Sequence, residues 1–165
     1  MLNILIVEDE RLFAETLRDL VQLNPRYIVT GIAEDKEQAI ALADAQPPDL
    51  ALVDLQLAHG SSGFAVAAKL AERDVACLFT SGKAPAFPLP DLALGCLLKP
   101  FSEEDLVRAL RTAEDAIRGR AVFRPSRPAN LRLYGEEQAE IEASQLPVRA
   151  RRRGWKDWLP LARAG

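Results

Sequence analysis

The sequence predicts an α/β fold: a doubly wound, five-stranded parallel sheet with helices on both faces. Three observations carry that expectation. Short, nearly all-apolar runs recur along the chain, and each suits a strand buried on both faces. Stretches with apolar side chains at helical spacing separate them. The two kinds of segment alternate, as βαβ units with right-handed crossovers require.

The first strand is Leu2–Val7, apolar except for Asn3. A helix is expected over residues 10–23, where Leu12, Phe13, Leu17, Leu20 and Leu23 recur at helical spacing until Asn24-Pro25 stops it. The β-branched Ile28, Val29, Thr30 and Ile32 mark a second strand over 27–33. A helix over 34–45 ends at Pro47-Pro48. The third strand, 50–54, is apolar until its last residue, Asp54. A loop containing His59-Gly60-Ser61-Ser62-Gly63 leads into a helix reaching 70 or 72. The fourth strand is 75–80 and the short fifth is 94–98. The last clear helix spans 102–118, with Ser102 as its N-cap and Glu103, Glu104 and Asp105 in the first turn, where the helix dipole favours acids.

Composition narrows the function. The 165 residues suit one domain and a modest extension. No window approaches the roughly 18 apolar residues that span a bilayer, and the N-terminus lacks the pattern of a signal peptide, so a cytoplasmic location is expected. Cys77 and Cys96 lie inside apolar runs and read as reduced core thiols. A single histidine, His59, argues against a His-rich metal site or a Ser-His-Asp triad. The formal charge of −3 is unevenly spread: residues 1–118 carry 11 basic and 19 acidic side chains, residues 119–165 carry 10 and 5. A boundary near Gly119 follows, with a domain over 1–118 and a basic, proline-containing, largely flexible extension over 119–165.

In a doubly wound sheet, ligands bind at the carboxyl ends of the strands. The polar residues gather there. The first strand ends in Glu8-Asp9, the third in Asp54, the fourth in Thr80-Ser81-Gly82 and the fifth in Lys99-Pro100. Carboxylates brought together repel one another unless a cation intervenes. Their oxygens suit Mg²⁺, which takes one or two carboxylates, water and phosphate oxygens. A carboxylate can also attack a phosphoryl group and form an acyl phosphate. Phosphoryl transfer needs chiefly positioning and charge neutralisation, and a lysine with a hydroxyl supplies both.

Ile4 to Glu10, Leu52-Val53-Asp54-Leu55, Thr80-Ser81-Gly82 and Lys99-Pro100-Phe101 together resemble the signature of response-regulator receiver domains, in the right order over residues 1–118. The resemblance implies a flavodoxin-like receiver fold and a set of roles. Glu8, Asp9 and Asp54, with the backbone carbonyl of Gln56, would hold Mg²⁺. Asp54 would accept a phosphoryl group from a histidine kinase or phosphotransfer protein and signal through protein contacts, with no enzymatic activity beyond its own phosphorylation and dephosphorylation. Lys99 would pair with the modified aspartate, across a cis bond to Pro100. A hydroxyl at the end of the fourth strand, Thr80 or Ser81, would bind the phosphate. The small Gly82 that follows favours Ser81.

Three departures stand out. Cys96 occupies the place, three residues before the lysine, where receivers commonly carry an aromatic switch residue. The segment 82–92 is short and holds Pro85, Pro88 and Pro90; proline inside a helix costs about 3 kcal/mol, so the fourth helix is expected to be short or irregular. Both features, with Phe79-Thr80-Ser81-Gly82, partly resemble single-domain regulators of alphaproteobacteria. Ala58 stands where a proline is usual, and the loop to Gly63 is one residue longer than usual.

In the extension, 136–144 could form a short helix, and Arg149, Arg151, Arg152 and Arg153 precede Trp155, Lys156 and Trp158. The alternative function is therefore a regulator that binds nucleic acid or an anionic membrane surface through this patch. The composition favours a solvated tail over that reading. It is too short and proline-rich for a helix-turn-helix output domain.

Overall fold

The computed structural model describes residues 1–58, 60–120, 127–136, 141 and 144. Six strands form one sheet: β1 (Leu2–Val7), β2 (Tyr27–Ala33), β3 (Leu50–Asp54), β4 (Ala76–Ser81), β5 (Gly95–Leu98) and β6 (Leu131–Leu133). Their order is β2-β1-β3-β4-β5-β6. The first five are parallel, as expected, and β6 runs antiparallel to β5.

Strand alternation divides the interior into two cores. Leu5, Val7, Ala51, Val53, Cys77 and Phe79 face helices α2 (Lys36–Ala45) and α3 (Gly63–Ala71), through Ala39, Ala43, Val66, Ala67 and Leu70. Ile4, Ile6, Leu50, Leu52 and Leu78 face α1 (Arg11–Gln22) and α4 (Glu103–Ile117), through Ala14, Leu17, Leu106, Ala109 and Leu110. Helices on both sides leave the central strands no wet face, which is why their sequences are apolar without alternation. Ser102 caps α4 in a reciprocal box: Asp105 N–H donates to its hydroxyl, and its own N–H donates to the Asp105 carboxylate. Among the described residues, no helix is long and apolar enough to cross a membrane.

Two features depart from the expected outline. No helix forms between β4 and β5. Residues 82–94 cross over as bends with one turn at 90–92, in keeping with prolines at 85, 88 and 90. The expectation of a flexible extension after residue 118 is corrected for residues 127–136. Leu131 and Tyr134 are buried, at 7% and 2% exposure, and the segment adds β6 to the sheet. A strand of three residues, Leu-Arg-Leu, is too short to reveal itself by alternation, and the change in net charge nearby concealed that the fold continues. Of the helix expected over 136–144, only Glu136, Ile141 and Ser144 are described, each in helical conformation; the rest lies outside the described residues. His59 and the Arg149–Trp158 patch lie outside the described residues.

Candidate functional site at the carboxyl ends of the strands

The parallel register brings the polar strand ends onto one rim. Asp54 closes β3, is 6% exposed, and lies beside Thr80 of β4. Its Oδ1 accepts the backbone N–H of Gln56 at 2.8 Å, and its Oδ2 accepts Lys99 Nζ at 2.8 Å. Gly63 makes this turn possible, because a Cβ there would sit 2.2 Å from the Asp54 carbonyl oxygen.

Glu8, 2% exposed, follows β1. Its Oε1 accepts the Glu10 N–H at 3.1 Å, and its Oε2 accepts Lys99 Nζ at 3.1 Å. Asp9 turns to the loop after β3 and accepts the Ala58 N–H at 3.0 Å. Each of Glu8, Asp9 and Asp54 offers one oxygen within 4.8 Å of the others. Lys99 is placed by its own N–H, which donates to the Ser81 carbonyl at 2.8 Å, and the Lys99-Pro100 bond is cis. Its ammonium also lies 4.5 Å from the centre of the Phe13 ring, which in turn packs on Phe101. Helical spacing places Phe13 among the apolar residues of its helix; nothing in the sequence pairs it with a lysine 86 positions away.

The electrostatics are unbalanced: three carboxylates face one ammonium. Burial pushes the Glu8 carboxyl above the usual carboxylate range; the Asp54 charge adds to this, against the Glu10 N–H and the Lys99 ammonium. For Lys99, burial alone would lower the pKa, but the Asp54 hydrogen bond and the charges of Glu8 and Asp54 outweigh it and raise the value. The lysine is therefore charged at neutral pH, and the site still carries excess negative charge. A cluster of hard oxygens with surplus negative charge fits a divalent cation such as Mg²⁺.

Thr80 and Ser81 are both buried at this rim. Thr80 shares the α1/α4 side of β4 with Leu78, whereas Ser81 shares the α2/α3 side with Phe79. The Ser81 hydroxyl accepts the Lys83 N–H at 3.2 Å. Cys96, at the expected aromatic position, is fully buried, and its strand neighbour is Phe79. Two rings pack against Phe79 instead: Phe64, edge-on at 5.6 Å between centroids, and Tyr134, tilted at 6.3 Å. Burial drives the Cys77 thiol up to about 12, which fits an inert core residue.

The profile of the family described as response regulator receiver domain matches residues 4–111. The chain belongs to that family. Its receiver region is 38% identical over 119 residues to the positive alginate biosynthesis regulatory protein of Pseudomonas aeruginosa, covering 68% of this chain and 47% of that protein. It is 31% identical over 122 residues to the nitrate/nitrite response regulator NarL of Escherichia coli, covering 67% and 54%. The chain thus spans about half the length of these curated relatives. Among solved structures, the receiver domain of the putative response regulator NarL from Mycobacterium tuberculosis superposes with a TM-score of 0.63 at 30% identity, covering 72% of this chain and 98% of that one. The receiver domain of PhyR from Erythrobacter litoralis gives 0.55 at 28%, covering 72% and 90%. Receivers of this kind operate in two-component signalling, and the acidic rim is where such domains bind Mg²⁺.

Proposed function

We propose that Asp54 is the phosphoacceptor of this receiver, charged by a phosphohistidine on a histidine kinase or phosphotransfer protein. The observation that carries the reading is the buried Asp54 carboxylate, paired to Lys99 at 2.8 Å with Glu8 and Asp9 alongside. An Asp54 carboxylate oxygen attacks phosphorus, the P–N bond of the donor breaks, and the imidazole leaves with its electron pair and takes up a proton. The product is an acyl phosphate. Its hydrolysis by water restores Asp54 and releases inorganic phosphate.

The residues of the chain divide the work. Lys99 neutralises charge on the phosphoryl oxygens, released from Glu8 as the new anion forms. The Gln56 N–H holds the aspartate in place. Ser81 is the hydroxyl assigned to the phosphoryl group, because it is the last residue of β4 and its Oγ already meets a loop N–H; Thr80 is the alternative. Glu8, Asp9, Asp54 and the Gln56 carbonyl are the groups that would hold Mg²⁺, which supplies further neutralisation when bound. Output passes through protein contacts.

Intact mass after incubation with acetyl phosphate and Mg²⁺ tests this. The wild type gains a single phosphoryl adduct that requires Mg²⁺, and Asp54→Ala gains none. An adduct that persists in Asp54→Ala would move the acceptor elsewhere.

A further inference from the structure

The β5 edge of the sheet is closed by the chain's own C-terminal segment, and that closure is tied to the acidic rim. β5 and β6 pair through Gly95 with Leu133, Cys96 with Arg132, and Leu97 with Leu131. The approach is tight: a Cβ on Gly95 would lie 2.0 Å from the Arg132 carbonyl oxygen. Only glycine at 95 lets this strand sit where it does. Tyr134 completes the contact. Its N–H donates to the Leu94 carbonyl at 3.0 Å, and its ring enters the α2/α3 core against Phe79, beside the small Cys96.

The other end of the segment grips the residue next to Lys99. The Leu98 N–H donates to the Asn130 carbonyl at 2.9 Å, and Asn130 Nδ2 donates back to the Leu98 carbonyl at 3.1 Å. On its opposite side, Leu98 is the register partner of Ser81, whose carbonyl holds the Lys99 N–H. Leu98, the residue before Lys99, is therefore held between β4, which carries Ser81, and the segment that carries β6. Phe79, two residues before Ser81, is the wall on which Tyr134 rests.

We infer that residues 130–134 form a strap over the β5 edge whose seating depends on the state of Asp54. The inference rests on Asp54 being the phosphoacceptor. The seated strap accompanies a site in which Lys99 is shared between Glu8 and Asp54 and the Ser81 hydroxyl is held by Lys83. A phosphoryl group brings about two negative charges and three acceptor oxygens to that spot, and draws both groups to itself. Their shift is passed through Leu98 to Asn130 and through Phe79 to Tyr134, and loosens the strap. Release bares four residues of β5 backbone, an edge able to pair with another strand. Because coupling is reciprocal, loosening the strap must also favour the phosphorylated form.

The test uses the full chain, with acetyl phosphate and Mg²⁺, reading adduct by intact mass and backbone amide exchange in the same sample. In the phosphorylated protein, exchange at the Leu98 and Tyr134 amides rises at least tenfold, while amides between β1 and β3 keep their protection. Asp54→Ala shows no such rise. Asn130→Ala, which removes no core side chain, loosens the same amides without phosphate and raises the steady adduct level several-fold at fixed acetyl phosphate. Gly95→Ala does so more strongly where it folds. Full adduct with unchanged or increased protection at Leu98 and Tyr134 overturns the strap and leaves Asp54 as acceptor. Absence of any adduct in the wild type removes both.

Discussion

Two charged clusters, each built on a buried glutamate, sit at opposite ends of the same sheet and have opposite electrostatics. At the carboxyl ends, Glu8, Asp9 and Asp54 share one ammonium, and burial raises the Glu8 pKa. At the amino ends, Glu114 of α4 accepts hydrogen bonds from Arg26, from Arg118 at 2.9 Å and from the Tyr27 hydroxyl at 3.1 Å, with Arg120 at 3.6 Å. Burial would raise the Glu114 pKa too, but the Tyr27 hydrogen bond and the Arg26 and Arg118 charges outweigh it and lower the value. One cluster has more anions than cations and the other the reverse. The satisfied cluster holds the turn before β2 against α4. The other keeps a deficit of positive charge that a divalent cation would offset.

The sharpest way to break this contrast is to neutralise each cluster in turn. Asp54→Ala should abolish the phosphoryl adduct. Glu114→Gln should leave the adduct yield at the wild-type level while lowering stability by about 1–3 kcal/mol, the cost of replacing charge-assisted hydrogen bonds by neutral ones. Urea denaturation of both variants, alongside intact mass, separates the two effects. An adduct lost in Glu114→Gln with the fold intact would mean that the two ends are not independent.

The acidic rim was legible in the sequence because each of its members ends an apolar run. Glu8, Asp54, Ser81 and Lys99 need only the parallel order of strands to meet, and hydrophobic patterning supplies that order. The Glu114 cluster was not legible. Glu114 lies in a charged helix and its partners are 87 and 88 residues away, so nothing local distinguishes it from a solvated side chain. β6 was hidden for a related reason. Its three residues pair across sequence, and Gly95, Asn130 and Tyr134 are single positions whose meaning appears only when β5 and β6 touch. Patterning reports elements; contacts distant in sequence between isolated residues leave no period to read.

Divalent metal gives the next largest effect. Mg²⁺ at ten times its dissociation constant should stabilise the wild type by about 1.4 kcal/mol, since ligand binding to the native state adds RT ln(1 + [L]/Kd). Thermal melts with and without Mg²⁺ would show a rise of a few degrees. Asp9→Ala should lose that rise and Glu114→Gln should keep it. A metal response that survives Asp9→Ala would place the cation away from the acidic rim.

The smallest effect is a titration at the satisfied end. Burial first, and then the Glu114 charge and hydrogen bond, push the Tyr27 hydroxyl up to about 12 from an ordinary value of 10.0. A group whose pKa is higher in the folded state contributes stability that is fully present below its unfolded value. For Tyr27 that contribution holds below about pH 10 and is lost as pH rises through about 12. Glu114 has the opposite sign: its lowered value contributes stability above the ordinary 4.5, which is lost as pH falls through the folded value. The same hydrogen bond therefore supports the fold at both limits, donated by a neutral phenol and accepted by an ionised carboxylate. Glu114→Gln removes the charge and should bring the Tyr27 absorbance transition back toward 10 while flattening the acid limb of the stability curve. If the phenol still titrates near 12 in Glu114→Gln, burial alone sets its pKa. The amino-end cluster would then be a packing contact, and the electrostatic contrast between the two ends of the sheet would rest on Glu114 and its arginines only.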